Sequence, residues 1–372
     1  MSDPIEAIAM PRWGLAMEEG TLVEWLVAEG DNLSAGDEVV EIETTKITNV
    51  FESPVGGTLR RQVTAAGETV PVGALLGVVA DPSVPDADID AFVTEFNAKF
   101  EAEAAEAEAA APEPEVVSAG GRQINYLSQG EGEGPPVVML HGFGGDLNGW
   151  LFNQPALAEG RRVIALDLPG HGRSTKDVGG GTMADMSATL VDFMDALNIQ
   201  QAHLVGHSMG GALGLAFALD SPSRVASLTL LAPAGLGPEI NMDFIEGFIG
   251  AGRRKEMKGV LQLLVADPAL VSRDMIEDVL KFKRLDGVDA GLRRLAEGLF
   301  PGGRQDQIPA DGLASLAVPA QAIWGRDDKI VPADHADALP SAVTVHLLDG
   351  IGHMPHMEAA AEVNRLIGTQ LG

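Results

Sequence analysis

The run Gly206-His207-Ser208-Met209-Gly210 sets one hydroxyl between two glycines, after the apolar pair Leu204-Val205 and before small and apolar residues, Gly211 to Leu215, at helical spacing. Strand, sharp turn and helix follow from that order, with Ser208 at the apex. Such a turn strains the serine backbone and lifts its hydroxyl clear of a sheet toward a base, and only small flanking residues tolerate the crowding. The chain has 45 glycines, so the pattern also fits a bystander serine in a Gly-rich turn. Partners decide between the two. To attack an acyl carbon the serine must lose its proton, and neutral histidine is the base whose pKa suits this near pH 7. A carboxylate must then orient the imidazole and stabilise its cation. Asp327 and Asp328 stand after Trp324-Gly325, with His346, His353 and His356 beyond them, so the chain offers serine, aspartate and histidine in that order.

The second reactive candidate is Lys46, the only lysine before Lys99. Strand alternation runs up to Glu43 and resumes near Asn49-Val50-Phe51, which puts Lys46 on a hairpin tip. A single exposed amine at a fixed place on an acidic hairpin is what a modifying enzyme needs, although periodicity alone favours a plain solvated lysine. Around it, residues 1–80 are short runs of Val, Ile, Leu and Thr punctuated by glycine turns. The segment Gly30-Asp31-Asn32-Leu33-Ser34-Ala35-Gly36-Asp37 recurs in outline as Gly67-Glu68-Thr69-Val70-Pro71-Val72-Gly73-Ala74. Two similar halves of this length predict a small pseudo-symmetric β-sandwich.

Residues 1–80 resemble the lipoyl domain of 2-oxo acid and acetoin dehydrogenase complexes. The matching residues are Met10-Pro11-Arg12-Trp13-Gly14, Met17-Glu18-Glu19-Gly20-Thr21, Trp25, Glu29-Gly30-Asp31, Glu41-Ile42-Glu43-Thr44-Thr45-Lys46, Gly56-Gly57-Thr58-Leu59 and Gly67. The resemblance implies that a lipoylating enzyme attaches lipoic acid to Lys46 in amide linkage. One departure is Thr45, where the family usually has aspartate. Biotinyl domains share the fold but flank their lysine with methionines, so Thr45 and Ile47 favour lipoyl over biotin.

With 372 residues and 45% hydrophobic content, the chain can hold two or three domains and bury a full core. No run of eighteen apolar residues predicts a membrane span. The amino-terminal MSDPIEAIAMPRWG lacks a basic segment followed by an apolar one, so no signal peptide and a cytoplasmic location are expected. The absence of cysteine excludes disulfides, thiolate metal sites and a cysteine nucleophile, and no metal centre is expected. A formal net charge of −29 argues against nucleic acid and anionic membrane as partners.

Residues 81–118 read as a spacer. Asp81-Pro82-Ser83-Val84-Pro85 closes the first domain, and Asp86 to Ala110 reads as a helix with Ile89, Phe92, Val93, Phe96 and Phe100 on one face, followed by an Ala/Glu run that Ala111-Pro112-Glu113-Pro114 stops. Either the helix is a solvated spacer, or its aromatic face docks a partner or the following domain. Fully extended, such a spacer reaches roughly 100 Å at about 3.3 Å per residue, and less where helical. A group on Lys46 could thus visit more than one active site. The acyltransferases of these complexes commonly carry a peripheral-subunit-binding domain here, and none is recognisable.

Residues 119–372 alternate strand and helix signals. Val137–Leu140, Val163–Leu166, His203–Val205, Leu228–Leu231, Ala322–Trp324 and Val343–Val345 read as strands buried on both faces, which predicts a doubly wound, mostly parallel sheet with site loops at the strand carboxyl ends. A helical stretch at about 236–307 breaks the alternation and would form a lid over Ser208. The segment resembles the α/β-hydrolase family through His141-Gly142-Phe143-Gly144-Gly145, Asp167-Leu168-Pro169-Gly170-His171-Gly172-Arg173-Ser174, the serine turn, Trp324-Gly325-Arg326-Asp327-Asp328-Lys329-Ile330-Val331-Pro332 and Gly352-His353-Met354-Pro355-His356-Met357-Glu358. The whole chain is therefore expected to be a small all-β lipoyl sandwich followed by an α/β-hydrolase fold with a helical lid.

That resemblance assigns roles. Gly352-His353 corresponds to the family's Gly-His pair, making His353 the base and leaving His356 to packing or the rim. The family's acid lies three residues after the glycine, which selects Asp328 over Asp327. The backbone N–H groups of Phe143 and Met209 would form the oxyanion hole, and His141, His171 and His207 would brace loops.

A lipoyl domain joined to a hydrolase fold resembles the acyltransferase components of acetoin dehydrogenase complexes. The resemblance implies transfer of an acetyl group from S-acetyldihydrolipoyl-Lys46 to coenzyme A through an ester on Ser208. It also implies a thiamine-diphosphate-dependent acetoin dehydrogenase and a flavin dihydrolipoamide dehydrogenase as partners. Two alternatives stay open: a hydrolase of esters, thioesters or carbon-carbon bonds tethered by its lipoyl domain, and a lipoyl carrier without catalysis.

Overall fold

In the computed structural model, residues 5–13, 17, 19–44, 48–110, 112–305 and 310–372 are described, the side chains of 104–110 and 310–311 excepted. The chain divides into two compact units, Met1–Ala111 and Pro112–Gly372.

The first unit holds eight strands: β1 (Ile5–Ala9), β2 (Glu19–Trp25), β3 (Asn32–Leu33), β4 (Glu38–Glu43), β5 (Thr48–Glu52), β6 (Gly57–Gln62), β7 (Thr69–Pro71) and β8 (Leu75–Ala80). They form two four-stranded sheets, ordered β1-β8-β6-β3 and β5-β4-β2-β7. Alternating apolar positions close the sandwich, with Ile8, Leu22, Ile42, Leu59 and Leu76 fully buried. The repeat seen in the sequence is a structural dyad. Gly30 and Gly67 turn with φ of 98° and 88°. The acid after each, Asp31 or Glu68, accepts from the N–H three residues upstream, at Ala28 (2.8 Å) or Ala65 (2.9 Å). The same acids' carbonyls receive the N–H of Leu59 and Leu22, both at 2.9 Å.

Helix α1 (Asp86–Ala110) belongs to this unit. Its Ile89, Phe92, Val93 and Phe96 pack on Leu75, Val78 and Ala80 of β8, so the aromatic face is covered by the sheet that precedes it. Arg60–Asp86 and Arg61–Asp90 pairs, each 2.7 Å, bind the start of the helix to β6. The outer face of β8 is as apolar as its inner face, and only a covering helix keeps it from water.

The second unit is built on eight strands: β9 (Glu115–Ala119), β10 (Arg122–Gln129), β11 (Val137–Leu140), β12 (Val163–Leu166), β13 (Ala202–His207), β14 (Val225–Leu231), β15 (Ala320–Gly325) and β16 (Thr344–Leu348). The sheet order is β16-β15-β14-β13-β11-β12-β10-β9, parallel from β16 to β12 and antiparallel through β10 and β9. Two features differ from the sequence reading. Strand β9 starts inside the segment read as spacer, because its short, half-exposed edge run carries little apolar signal. Strand β16 is the other edge, and Val345 is 38% exposed, so it is not buried on both faces.

Helices cover both faces. They are α2 (Gln154–Leu157), α3 (Met183–Ala196), α4 (Met209–Asp220), α5 (Met242–Gly250), α6 (Arg254–Leu261), α7 (Arg273–Lys283), α8 (Val288–Leu299), α9 (Ala310–Ala314), α10 (Pro355–Glu358) and α11 (Ala360–Leu371). One core layer gathers α3, α4 and the α5–α8 insertion, and the other gathers α2, α11 and Trp150. No helix among the described residues is long and apolar enough to cross a membrane.

Candidate active site

Ser208 sits between β13 and α4 with φ of 51° and ψ of −114°. Non-glycine residues hold such backbone only where the surroundings over-determine it, at a cost of about 1–3 kcal/mol. The flanking glycines are required by contact: a Cβ on Gly206 would run into the carbonyl of Gly210, and one on Gly210 into that of Leu140. The Ser208 N–H donates to Leu231 O (2.9 Å), and its carbonyl accepts from Ala212 and Ala234 (3.0 and 3.1 Å), which locks the turn.

His353 and Asp328 meet from the loops after β16 and β15. His353 Nδ1–H donates to Asp328 Oδ2 at 2.7 Å, with both side chains at most 1% exposed. The other oxygen, Oδ1, accepts from the N–H groups of Ile330 (2.7 Å) and Val331 (3.0 Å), and Trp324 Nε1–H adds a donor to Oδ2 at 2.9 Å. Four donors fix the position of this carboxylate without solvent. Nδ1 therefore carries the proton, and Nε2 of His353 is the free acceptor. Asp327, by contrast, is exposed.

Ser208 and His353 line one cavity of about 300 Å³. No hydrogen bond joins Ser208 Oγ to His353 among the described residues, and such contacts commonly tighten only when substrate is loaded. The loop after β11 brings His141 to Gly145 to the same cavity. The backbone N–H groups of Phe143 and Met209 form no hydrogen bond within the protein among the described residues. Phe244 and Phe248 of α5, Leu261 of α6, and Met275, Val279 and Phe282 of α7 roof it.

The remaining histidines brace loops or pack. His141 accepts from Leu168 N–H at 2.9 Å, His171 from Gly144 N–H at 3.0 Å, and His207 Nε2–H donates to His353 O at 2.8 Å. Burial holds all three below the usual histidine pKa; the neighbouring His356 and His353 reinforce this for His207, and His141 does so for His171. His356 lies between Trp150 (4.8 Å) and His207 (4.5 Å), with no carboxylate partner, and burial lowers its pKa to about 3. It is a neutral packing group. His346 lies on edge strand β16, outside the cavity wall.

Some supports carry no sequence signal of their role. Asp167 accepts from Leu147 N–H, Arg173 N–H and Asn125 Nδ2 (2.8, 2.7 and 2.8 Å), joining the loops after β11 and β12 to β10. Glu358 accepts from the N–H groups of Gly352 and Met354, which flank His353, and from Ala266 N–H of the insertion at 2.8 Å. Both residues occur in the quoted family motifs, but their partners are remote in sequence or set by the loop path. Lys46 lies outside the described residues. Strands β4 and β5 pair through Glu43↔Thr48, so the connection containing Lys46 is four residues long. Among the described residues no cluster of His, Cys, Asp or Glu suits a metal ion.

Comparison with known proteins agrees with this division. A family described as "alpha/beta hydrolase fold" matches residues 135–360, and one described as "Biotin-requiring enzyme", covering biotinyl and lipoyl domains, matches residues 6–79. The dihydrolipoyllysine-residue acetyltransferase component of the acetoin cleaving system of Pseudomonas putida is 49% identical over 97% of this chain and 97% of its own. A 2-hydroxy-6-oxononadienedioate/2-hydroxy-6-oxononatrienedioate hydrolase of Paraburkholderia xenovorans is 31% identical over 66% of this chain and 89% of its own. Among solved structures, a meta-cleavage product hydrolase from Pseudomonas fluorescens shares the fold, with a TM-score of 0.64 and 24% identity over 69% of this chain and 97% of that one.

Proposed function

The chain belongs to the family of dihydrolipoyllysine-residue acetyltransferase components of acetoin cleaving systems, an α/β-hydrolase fold carrying a lipoyl domain, and we propose that it moves an acetyl group from Lys46-bound lipoate to coenzyme A through Ser208. The observation that carries this reading is the shared cavity of Ser208 and His353, with His353 Nδ1 held 2.7 Å from a buried carboxylate, in a chain that matches the acetyltransferases along nearly its whole length.

Lys46 fits the attachment because the paired strands leave only a four-residue connection around that one amine. Lipoic acid in amide linkage there would supply, in its reduced dihydrolipoyl form, a thiol able to carry acetyl as a thioester. His353 Nε2 takes the proton of Ser208 as Oγ attacks the thioester carbonyl. The Phe143 and Met209 N–H groups receive the developing oxyanion. His353 returns its proton to the departing sulfur, leaving an acetyl ester on Ser208. The CoA thiol then gives its proton to His353, its sulfur attacks the ester carbonyl, and Ser208 leaves with that proton. Asp328 keeps the tautomer correct and stabilises the imidazolium in both halves.

Transfer to a thiol requires that water be kept from the ester. Phe244, Phe248 and Phe282 make the roof that excludes it, and Ser208 is only 7% exposed. Hydrolysis of the kind named for the 31% relative is less well supported. Its named substrates are dicarboxylates, whereas this cavity wall has Asp146 and Asp278 and no Lys or Arg among the described residues. The acetoin cleaving system of the relatives puts this chain in a multicomponent assembly. A thiamine-diphosphate-dependent acetoin dehydrogenase would load the lipoyl group, and a flavin dihydrolipoamide dehydrogenase would reoxidise it.

The test uses lipoylated protein acetylated on its reduced lipoyl group, with and without CoA, and quantifies acetyl-CoA against acetate in the wild type and in Ser208→Ala. Acetyl-CoA that forms only with Ser208 present is the expected result. Acetate released at one rate with or without CoA would leave a tethered hydrolase.

A further inference from the structure

The cavity that receives the acyl group is hostile to phosphate. Its wall is mostly aromatic, aliphatic and methionine side chains, its only charged residues among those described are Asp146 and Asp278, and burial with the nearby Asp167 charge pushes the Asp146 carboxyl above its usual pKa. Like charge and low dielectric both exclude a polyanion from such a space. CoA therefore has to leave its phosphates outside while its uncharged, thiol-bearing arm enters.

Asp278 marks where outside begins. It lines the cavity, yet its side chain is 69% exposed and paired with Lys281 at 2.8 Å. The preceding residue, Glu277, accepts from Arg254 of α6 at 2.6 Å and from Arg273 at 2.8 Å, which ties α6 to α7 beside that mouth. Helix α6 ends on Leu261, a cavity-wall residue, and its exposed first turns hold Arg253, Arg254, Lys255 and Lys258 within six residues. In a chain of net charge −29 this is a marked local excess of cations.

The acid in that run is not paired with its cations. Glu256 is turned back onto the N–H groups of Gly252 and Arg253, both at 3.2 Å. Arg253, Lys255 and Lys258 form no ion pair among the described residues. Lys255 and Lys258 are three apart, so they lie on neighbouring ground of one helix face. Lys258 is about 5 Å and Lys255 about 9 Å along the helix from Leu261, at about 1.5 Å per residue. The spacing forms a ladder of cations leading away from the mouth.

We propose that α6 carries the acceptor's phosphate site, with Lys255, Lys258 and Arg253 holding the phosphates of CoA while its thiol arm passes Asp278 toward Ser208. This rests on the acetyl-transfer reading, and it adds to it where acceptor specificity resides. Unpaired cations at a mouth also steer a polyanion through the repulsive field of an acidic protein.

The experiment measures binding to the full-length protein with no acyl donor present, by calorimetry, using CoA and pantetheine, which has the same thiol arm without phosphates. CoA should bind at least about tenfold more tightly than pantetheine, with an advantage that shrinks as salt is raised. Lys255→Glu/Lys258→Glu, both at exposed positions, should weaken CoA by about tenfold or more and leave pantetheine unchanged. Lys99→Glu, a like charge reversal on α1, should leave CoA unaffected. Equal affinities for CoA and pantetheine in the wild type, unaltered CoA affinity in the double variant, or an equal loss in Lys99→Glu would overturn the site. Because nothing is turned over, the outcome is separate from whether acetyl ends on CoA or as acetate, which the acetylated protein decides.

Discussion

Trp324 Nε1–H donates to Asp328 Oδ2 at 2.9 Å, the same oxygen that His353 Nδ1–H meets at 2.7 Å. Two residues that never touch substrate therefore set the charge that His353 feels. Trp324→Phe keeps the buried ring and removes the donor, so the carboxylate holds its negative charge less spread and binds the imidazolium more strongly. Stability in urea should fall by about 1–3 kcal/mol, and kcat should change while KM stays within about twofold. An unaltered kcat with reduced stability would mean that the tryptophan only packs.

Asp328→Asn tests the tautomer. An amide NH₂ facing Nδ1 favours the ring form with its proton on Nε2, which cannot act as a base toward Ser208. Acetyl transfer should drop by about 10⁴ in kcat with KM changed little. Asp327→Asn, on the exposed neighbour, should stay within about twofold of wild type.

The strained serine predicts different stabilities for two inactive variants. Ser208→Gly relieves a φ of 51° and should raise stability by up to about 1 kcal/mol, seen as a higher urea midpoint, whereas Ser208→Ala keeps the strain and should not. Equal midpoints would argue that the turn is unstrained.

Phe282 roofs the cavity and stacks on His171 at 6.4 Å. Phe282→Ala opens a path for water to the acyl-serine, so the share of acetyl recovered as acetate rather than acetyl-CoA should rise several-fold while the rate of serine acylation changes less. An unchanged product ratio would place water exclusion elsewhere in the roof.

His356 is held neutral, its pKa lowered to about 3 by burial and then by His353. The unfolded chain protonates this group near pH 6.5 and the folded one does not, so its contribution is fully present above pH 6.5 and is lost as pH falls toward 3. Stability measured by urea should decline between pH 6.5 and 4.5. His356→Phe should flatten that decline by up to one proton, about 1.4 kcal/mol per pH unit. An identical slope in the variant would show that His356 does not carry it.

Local signals in the sequence were enough for the sandwich and the serine turn. The two glycine turns of the first unit repeat because each half folds the same short hairpin logic, and Gly206 and Gly210 are demanded by carbonyls of the same turn or of adjacent β11. Strand runs in the second unit were legible for the same reason, since burial on both faces leaves an unbroken apolar string. Edge strands blur that signal in both directions: β9 is mostly exposed and reads as spacer, whereas the Val343-Thr344-Val345 run at the start of β16 is apolar enough to read as interior although the strand closes the sheet.

What only tertiary structure decided are the meetings between distant residues. Choosing between Asp327 and Asp328 from spacing needed a family resemblance; the fold separates them by turning one carboxylate onto four donors and the other to solvent. The Phe92 and Phe96 face was apolar in any reading, but its partner, β8, depended on which sheet face was left uncovered. Likewise Glu358 reaches Ala266, Asp167 reaches Asn125, and Arg254 of α6 reaches Glu277, the neighbour of the cavity residue Asp278. Periodicity specifies which side of a segment is apolar, whereas the partner of each side is chosen by strand order and by the burial of the whole core, and that choice is made only when the chain closes on itself.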